Sequence, residues 1–166
     1  MAAQPEHVEP IVHIQAMRRR HVRSVLKIEQ EVYPRPWSAS LFLSELALRS
    51  TRAYFVARIG RELVGYAGLM MTVDDGHVTT IAVDPKWHRN KIGTRLLLAA
   101  AREAIARGAS SLTLEVRMAN HGAQELYRRF GFRPVGVLRA YERGADGTWH
   151  DGLLMDLLVS DLAPAS

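Results

Sequence analysis

The stretch TIAVDPKWHRNKIGT, residues 80–94, predicts a strand, a short loop and the start of a helix. Its first four residues are β-branched or apolar, and Pro85 ends the strand because proline cannot donate a hydrogen bond to a neighbouring strand. From Ile92 onward apolar residues recur with a helical period until Gly108 ends the helix. This strand-loop-helix unit organises the middle of the chain.

The loop inside this stretch is rich in basic side chains, with Lys86, His88, Arg89 and Lys91. A helix N-terminus presents unpaired N–H groups and a partial positive charge, which suits an anion. Gly93 leaves room for a close approach, so the pattern predicts a phosphate site. An ordinary connection with solvated charges explains the loop equally well, because basic loops are common.

The loop and the strand before it resemble the acetyl-CoA loop of the GCN5-related N-acetyltransferase (GNAT) superfamily. In that superfamily a strand ends in hydrophobic-Ala-Val-x-Pro, as residues 81–85 do here, and the loop follows as Gln/Arg-x-x-Gly-x-Gly/Ala. Gly93 occupies the second glycine position, whereas Lys91 replaces the first glycine and His88 replaces Gln or Arg. The resemblance implies that acetyl-CoA is the co-substrate. Lys91 should affect the affinity for acetyl-CoA in two opposite ways, because its Cβ would crowd the pyrophosphate and its ammonium group would attract it.

Length and composition predict one globular domain. The 166 residues are 48% hydrophobic and 23% charged, which is ordinary for a soluble chain. We expect the domain to span residues 11–160, between a disordered tail at 1–10 and a second tail at 161–166. The sequence has no cysteine, which excludes disulfides, thiolate metal sites and a cysteine nucleophile.

The net charge of +5 favours anionic partners such as cofactor phosphates or RNA. The N-terminus lacks the apolar core of a signal sequence, and no apolar run reaches the ~20 residues that span a bilayer. We therefore expect a cytoplasmic protein without a membrane partner. The histidines, including His150, lack paired ligand spacing, so we expect no metal.

The remaining segments predict short strands and helices joined by turns. Strands are predicted at 11–14, 53–59, 63–71, 77–83, 112–117, 132–143 and 150–159, helices at 18–33, 39–48, 92–108 and 121–130, and a turn at 74–76. A run of hairpin strands is followed by a strand-helix-strand-helix unit. This order predicts an α+β fold with a mixed, mostly antiparallel central sheet and helices on both faces.

Two features near the first helices each allow two interpretations. The basic run from Arg18 to Arg23 can contact nucleic acid, but a solvated helix face is favoured, so we expect no direct nucleic-acid binding. Trp37 lies in the loop PRPWS, residues 34–38, where prolines forbid helix and Ser38 can cap the next one. Its indole either plugs the core or forms one wall of a substrate groove, with equal weight.

Two residues in the second half of the chain are candidates for proton transfer. The segment from Leu112 to Arg117 alternates, so Glu115 shares a face with Arg117. An ion pair with an arginine is the favoured explanation of Glu115, and a core position at helical spacing is favoured for Tyr127. The alternative roles are a general base for the carboxylate and a proton donor for the phenol.

These residues lie in a longer pattern that resembles the ribosomal-protein alanine acetyltransferase family within the superfamily. LEVR at 114–117 followed by Asn120, then LYRRFGF at 126–132, match the family's Leu-Glu-Val-Arg-x-x-Asn and Leu-Tyr-x-x-x-Gly-Phe, and PWS at 36–38 matches as well. The resemblance covers residues 37 to about 155 and implies the GNAT fold.

Carried over position by position, the resemblance implies a complete site. Glu115 is then the general base and Tyr127 the general acid. The implied cofactor contacts are Ile81, Ala82, Val83, Arg89, Asn90, Lys91, Ile92, Gly93, Thr94 and Asn120. The peptide side is implied for Trp37 and for Tyr141 and Glu142. The last two stand in a segment similar to the family's Arg-x-Tyr-Tyr, where the acidic replacement suits a cationic N-terminus.

We therefore expect an acetyl-CoA-dependent N-acetyltransferase that modifies protein N-terminal α-amines. The resemblance implies the N-terminal alanine of a small-subunit ribosomal protein as acceptor. An α-amine with a pKa of ~7.7–8.0 needs little help from a carboxylate at neutral pH, whereas a lysine amine at ~10.4 needs much more. Three alternatives remain: a lysine or small-molecule amine acetyltransferase, a CoA-binding regulatory module with little turnover, and an RNA-binding accessory domain.

Overall fold

The computed structural model describes residues 8–162, which contain seven strands and four α-helices. The strands are β1 (His13–Ala16), β2 (Arg52–Ile59), β3 (Glu62–Met71), β4 (Asp75–Val83), β5 (Ser111–Arg117), β6 (Arg133–Arg143) and β7 (Trp149–Leu158). The helices are α1 (Val22–Val32), α2 (Ala39–Ala47), α3 (Ile92–Ala106) and α4 (His121–Phe130). Single 3-10 turns lie at Arg19–His21, Pro85–Trp87 and Val159–Asp161.

The seven strands form one sheet in the order β1-β2-β3-β4-β5-β7-β6. Neighbouring strands run antiparallel except β4 and β5, which run parallel. α1 and α2 pack on one face around Phe42 and Tyr66, and α3 and α4 pack on the other around Leu97, Leu114 and Tyr127. The predicted α+β fold, with a mostly antiparallel sheet and helices on both faces, is confirmed.

Capping residues determine where α2 and α4 begin and where α4 ends. Ser38 Oγ accepts the Leu41 N–H at 3.1 Å at the start of α2, and Asn120 Oδ1 accepts the Ala123 N–H at 3.1 Å at the start of α4. Gly131, with a φ of 124°, follows the last residue of α4. The predicted bounds of α4 are confirmed, and α2 ends one residue earlier than predicted.

The turn predicted at 74–76 lies earlier, at residues 72–74, and Asp75 and Gly76 belong to β4. A Cβ on Gly76 would come 2.7 Å from the Cβ of Ala104 in α3. This glycine is therefore required for the close approach of a helix to the sheet, and not for a turn.

Two predicted bounds near the N-terminus are wrong. The first strand occupies residues 13–16 instead of 11–14, because those are the residues that pair with β2. The helix predicted at 18–33 begins at Val22, and residues 19–21 form a separate 3-10 turn before it. The arginines of the basic run therefore begin outside the helix.

The predicted tails at 1–10 and 161–166 fall mostly outside the described residues. Asp161 completes a 3-10 turn, and Leu162 packs partly buried against the core that α3 covers. Within residues 8–162, no helix has both the length and the apolar character that are needed to cross a membrane.

Candidate active site

The parallel strands β4 and β5 separate part-way along their length. Their ladder ends at the pair of Val78 and Leu114, although β4 continues to Val83 and β5 to Arg117. At the same level Thr79 is skipped in the pairing of β4 with β3, which makes a bulge. Beyond it the two strands face each other across a gap, and α3 and α4, which follow them, begin at the same open end.

The backbone of β4 offers hydrogen-bonding groups to this gap. The Asp84 N–H donates to Val64 O in β3 at 2.8 Å. Successive residues of a strand direct their N–H and C=O groups to alternate sides, so Val83 and Ile81 direct theirs away from β3 and into the gap. Ala82, between them, directs its backbone toward β3 and is buried.

Two side chains cover the carbonyl groups of this edge. The Tyr33 hydroxyl donates to Ile81 O at 2.7 Å, and His88 Nε2 lies 3.0 Å from Val83 O, where its N–H can donate. The N–H groups of Ile81 and Val83 remain directed into the gap. His88, which replaces the family's Gln or Arg, thus fixes the loop to the end of β4.

The loop before α3 presents a series of unpaired backbone N–H groups. The six N–H groups of residues 89–94 have no acceptor within residues 8–162, and the first N–H bonded back onto the helix start is that of Arg95, to Lys91 O at 3.1 Å. Arg89 and Lys91 have positive φ angles of 69° and 59°. Alternation of left- and right-handed residues turns consecutive N–H groups toward one point, which makes a concave anion nest.

Of the basic side chains Lys86, Arg89 and Lys91 in this loop, only Lys86 forms ion pairs within residues 8–162. Lys86 lies 3.4 Å from a Glu62 carboxylate oxygen and 3.8 Å from one of Asp84. Arg89 and Lys91 are exposed and make no ion pair with any residue of the described chain. Lys91 therefore combines a left-handed backbone, which glycine adopts most readily, with an ammonium group that has no carboxylate partner within residues 8–162.

The Asn90 side chain stabilises the loop through hydrogen bonds to its backbone. Its Nδ2 donates to Trp87 O at 3.1 Å and to His88 O at 3.2 Å. Ile92 is buried beneath the loop and Thr94 is exposed on the first turn of α3. The three residues therefore offer backbone N–H groups to a ligand, while their side chains are anchors or lie at the surface.

The two helices that flank the gap are held close at their N-termini. A Cβ on Gly93 would lie 3.0 Å from Leu126 Cδ2 of α4, so this glycine sets the distance between α3 and α4. Asn120 caps α4 with its Oδ1, which accepts the Ala123 N–H, and its Nδ2 has no acceptor within residues 8–162.

Glu115 is the first residue of β5 beyond the section that pairs with β4, and its side chain is exposed. The favoured ion pair with Arg117 is not formed, because Arg117 Nε lies 3.0 Å from Glu142 Oε2 instead. Glu115 makes no ion pair with any residue between 8 and 162. A carboxylate without a cationic partner, at the mouth of the gap, is available to accept a proton.

Tyr33, Tyr127 and Tyr141 lie close enough to influence one another's pKa, and Tyr141 is the one beside Glu115. Burial first, and then the neighbouring Tyr33 and Tyr141, raises the pKa of Tyr127, which is 6% exposed. Burial first, and then the charges of Glu115 and Glu142, raises the pKa of Tyr141 to about 12. The phenols therefore remain protonated donors at neutral pH. Tyr33 was not predicted as a site residue.

Tyr141 reaches the gap through an irregularity in β6. The pairing with β7 is interrupted between residues 138 and 142, and Ala140 has a φ of 49°. Asp151 holds this bulge, since its Oδ1 accepts the Ala140 N–H at 3.0 Å and its Oδ2 accepts a hydrogen bond from Arg139 Nη1 at 2.8 Å. Bulges re-aim side chains and occur often beside active sites.

Sequence reasoning also missed Glu29, a carboxylate in α1 that is only 1% exposed. The Tyr66 hydroxyl donates to Glu29 Oε2 at 2.9 Å, and the backbone N–H of Trp37 donates to the same carboxylate. The Trp37 ring is partly buried and packs on Phe42, with 5.1 Å between ring centroids. Glu29 therefore fastens the loop that carries Trp37 to β3.

Replacing Glu29 by Gln should make the protein more stable at high pH. Burial raises the pKa of Glu29 from 4.5 to about 7, although hydrogen bonds from Tyr66 and Trp37 lower it. The folded protein holds this proton more tightly than the unfolded chain, so the wild type loses stability as pH rises from about 4.5 to about 7. Glutamine keeps an acceptor oxygen and carries no charge.

Urea unfolding of Glu29→Gln and wild type at several pH values measures this effect. The difference in unfolding free energy should grow by up to about 3 kcal/mol between pH ~5 and pH ~8. Glu31→Gln, an exposed change on the same helix, should show no such growth. A pH-independent difference for Glu29→Gln would show that the buried carboxyl does not titrate in this range.

The gap thus combines an anion nest, a strand edge, one unpaired carboxylate and three phenols. A phosphate at the nest would leave an extended chain lying along β4 toward Glu115. An amine beside Glu115 can lose a proton to that carboxylate, and a departing anion can receive a hydrogen bond from a phenol. Within residues 8–162, no group of three or more His, Cys, Asp and Glu side chains is placed to hold a metal ion.

Comparison with known proteins agrees with this arrangement. Residues 22–132 match the model of the acetyltransferase (GNAT) family. The chain is 38% identical over 148 residues to the N-alpha-acetyltransferase RimI of Mycobacterium tuberculosis, covering 83% of this chain and 89% of that protein. It is 32% identical over 133 residues to the ribosomal protein bS18-alanine N-acetyltransferase of Escherichia coli K12, covering 80% and 88%.

The crystal structure of the Escherichia coli ribosomal protein S18-alanine N-acetyltransferase superimposes with a TM-score of 0.81 at 28% identity, over 94% of this chain and 99% of that one. The strand order, the gap between β4 and β5 and the family match all support the same assignment. The chain belongs to the acetyltransferase (GNAT) family, is similar within it to ribosomal-protein alanine N-acetyltransferases, and is an N-acetyltransferase.

Proposed function

We propose that this enzyme transfers the acetyl group of acetyl-CoA to the α-amine of a protein N-terminus, and that its acceptor is the N-terminal alanine of a small-subunit ribosomal protein. The main support is the Glu115 carboxylate, which has no ion-pair partner within residues 8–162 and lies on β5 at one side of the gap. The other side of the gap is β4, which leads into the loop with the unpaired N–H groups of residues 89–94. The relatives named above support the acceptor, since one is an N-alpha-acetyltransferase and the other acts on alanine of ribosomal protein bS18.

The residues along the gap fit acetyl-CoA, which GNAT acetyltransferases use. The unpaired N–H groups of residues 89–94, with Lys91 beside them, suit the pyrophosphate. Ile81 and Val83 offer an extended edge to the amide groups of the pantetheine arm, and Asn120 Nδ2 offers a donor from α4. Acetyl-CoA, when bound, supplies the activated thioester.

Glu115 acts as the general base in this proposal. An incoming α-amine, with a pKa of ~7.7–8.0, is partly protonated at neutral pH and must lose a proton to become a nucleophile. Glu115 accepts that proton directly or through a water molecule, and no cation competes for its oxygens within residues 8–162. Its charge also favours the approach of a cationic N-terminus.

Two donors complete the transfer. The Val83 N–H, directed into the gap, stabilises the oxyanion that develops on the acetyl carbonyl. As the C–N bond forms and the C–S bond breaks, the second proton of the amine nitrogen also leaves through Glu115, which has passed the first to solvent. Tyr127 donates its proton to the departing thiolate, whose reference pKa is ~8.5, and regains a proton from solvent. Burial, the largest cause of its raised pKa, keeps this phenol protonated until charge develops on sulfur.

The peptide is placed on the side of Tyr141 and Trp37. The β6 bulge brings Tyr141 beside Glu115, and the partly buried Trp37 stiffens the facing loop. Glu142 contributes less charge than its sequence position suggests, because Arg117 Nε lies 3.0 Å from its carboxylate. Attraction of the substrate's α-ammonium is therefore assigned mainly to Glu115.

Replacement of Lys91 separates the effect of its charge from that of its backbone. Lys91→Met keeps the Cβ and loses the ammonium, so acetyl-CoA should bind about 3- to 10-fold more weakly at low salt, and less so at high salt. Lys91→Gly also relieves the left-handed φ of 59°, which should add about 1 kcal/mol of stability relative to Lys91→Met.

Calorimetric titration with acetyl-CoA and urea unfolding measure the two effects. Unchanged acetyl-CoA affinity in both Lys91 variants at low salt would place the ammonium away from the phosphates. Equal stability of Lys91→Gly and Lys91→Met would show that the left-handed conformation carries no strain.

A panel of peptides that differ only in their first residue tests the proposed acceptor. We expect kcat/KM to be highest for a peptide with the N-terminal sequence of the host's own bS18, beginning with alanine. A peptide with a blocked N-terminus should give no turnover. Equal turnover of all first residues would refute the alanine preference while leaving α-amine transfer intact.

A further inference from the structure

A second concave region lies at the end of the sheet opposite the anion nest. Its cavity of about 1100 Å³ is bounded by the end of β1, the start of β2, α2 and the last turn of α3. We call it the arginine cleft, after the six arginines that line it: Arg18, Arg19, Arg20, Arg49, Arg52 and Arg107. Two glutamates also line it, so its net charge is +4.

Both glutamates are already used by arginines of the cleft. Glu45 Oε2 lies 2.7 Å from Arg52 Nε, and Glu103 Oε1 lies 3.0 Å from Arg107 Nε. The other four arginines, at 18–20 and at 49, have no carboxylate within ion-pair distance in the described part of the chain. Such an uncompensated cluster attracts an anionic partner.

The turn that carries three of these arginines has a fixed backbone. The Arg18 N–H donates to His21 Nδ1 at 2.8 Å, and the His21 N–H donates back to Arg18 O at 2.9 Å. Only a neutral imidazole can accept at Nδ1. Burial and then the charges of Arg20, Arg58 and Arg18 lower the His21 pKa, which keeps the ring neutral. The arginines are thus presented from a pre-organised turn.

The floor of the cleft is apolar. Leu43 and Leu46 of α2 and Ala53 of β2 are each partly exposed there, and Ala47 is exposed. A floor of this kind inside a ring of arginines matches a ligand that has one apolar face and negative charges at its edges. Such a ligand resembles an amphipathic helix with acidic flanks.

The lining does not favour single-stranded RNA. Binding of that kind relies on aromatic rings on which bases stack. Tyr54 is 5% exposed and its hydroxyl donates to Glu45 at 3.0 Å, so it offers no such ring. Phe55, the other aromatic residue of the lining, is partly buried and packs against the core around Ile92 and Leu96. Duplex RNA contacts through phosphates alone would leave the apolar floor uncovered.

We propose that the arginine cleft docks an acidic amphipathic segment of a partner protein, with apolar side chains on the α2 floor and carboxylates on Arg19, Arg20 and Arg49. The cleft lies at the β1–β2 edge of the sheet, and β3 and β4 separate it from Glu115 on β5, so docking and acetyl transfer can occur together. This proposal stands independently of the acceptor proposed above.

Fluorescence anisotropy with the full chain tests the proposal. The probe is a labelled helical peptide of about 16 residues, made of Glu and Leu with the leucines on one face. Two comparison probes are a peptide of the same composition with leucines on all faces and a single-stranded RNA. The amphipathic peptide should bind best, and Arg49→Glu and Ala47→Glu should each weaken it about tenfold or more.

Arg61→Glu is the matched control, because it makes the same charge change at an exposed position in the turn at the other end of β2. It should leave peptide binding nearly unchanged, and all three variants should acetylate a free peptide at the wild-type rate. Equal binding of the two peptides, tighter binding of RNA that is lost in Arg49→Glu, or no binding of the amphipathic peptide would each overturn the proposal.

Discussion

Glu115→Gln should lower kcat by about 10²- to 10⁴-fold, the range that a positioned general base contributes. The amide cannot accept the proton of the incoming amine, while its size and its acceptor oxygen are retained. Glu115 makes no ion pair within residues 8–162, so the fold should not change. The Kd for acetyl-CoA should stay within about twofold, because the anion nest is untouched.

The pH dependence of this variant gives a second, independent readout. At pH ~9 an α-amine is mostly deprotonated without help, so the deficit of Glu115→Gln should shrink there. Glu125→Gln is the control, since this exposed carboxylate of α4 only pairs with Arg129, at 3.0 Å, and should leave kcat unchanged. A parallel loss of acetyl-CoA binding and turnover in Glu115→Gln would contradict the role of general base.

Tyr127→Phe should lower kcat by about 10²-fold while leaving stability nearly unchanged. The ring packs edge-on against Phe132, with 6.2 Å between centroids, and phenylalanine keeps that contact. The hydroxyl makes no hydrogen bond to any residue in the described range, so its loss leaves no partner unsatisfied. The lower kcat of Tyr127→Phe should therefore reflect slower departure of the thiolate.

Tyr54→Phe provides the opposite pattern as a control. Its hydroxyl lies 3.0 Å from Glu45 Oε1 and 3.2 Å from Thr79 Oγ1, so its removal should cost about 1 kcal/mol of stability. Turnover per folded molecule should be retained. If Tyr127→Phe kept kcat within about threefold of the wild type, another group would have to serve the leaving sulfur.

The elements that could be predicted from the sequence are those with local signals. The run before Pro85 and the helical period from Ile92 correctly placed the end of β4 and the start of α3. Asn120 and Gly131 correctly bounded α4, because each acts on the backbone next to it. The family resemblance, confirmed by comparison, rested on these same segments.

Features that depend on distant contacts could not be predicted in this way. Nothing in either strand shows that the ladder ends at Val78 and Leu114, because that point depends on how two separate segments pair. Gly76 is predicted in a turn, whereas it lies in β4 and its missing Cβ leaves room for Ala104 of α3. The bulge at Ala140 likewise depends on Asp151 in the next strand.

The charged residues were the hardest to interpret from sequence. Glu29 follows Val25 at the spacing of one helix face, and that spacing was the available signal for a buried carboxylate. Lys91 showed a departure from glycine, but only the structure shows that it keeps the left-handed φ. The sequence predicts that Arg18 to Arg20 lie on a solvated helix face, whereas they precede α1 and line a cleft.

The central claim is transfer of acetyl to a protein α-amine at Glu115. Its most direct test is CoA release by the purified enzyme with acetyl-CoA and two matched peptides. One peptide has a free N-terminal alanine and no lysine, and the other has a blocked N-terminus and an internal lysine. We predict turnover on the first peptide alone, lost in Glu115→Gln. Turnover on the second peptide alone would contradict the claim and identify a lysine acetyltransferase.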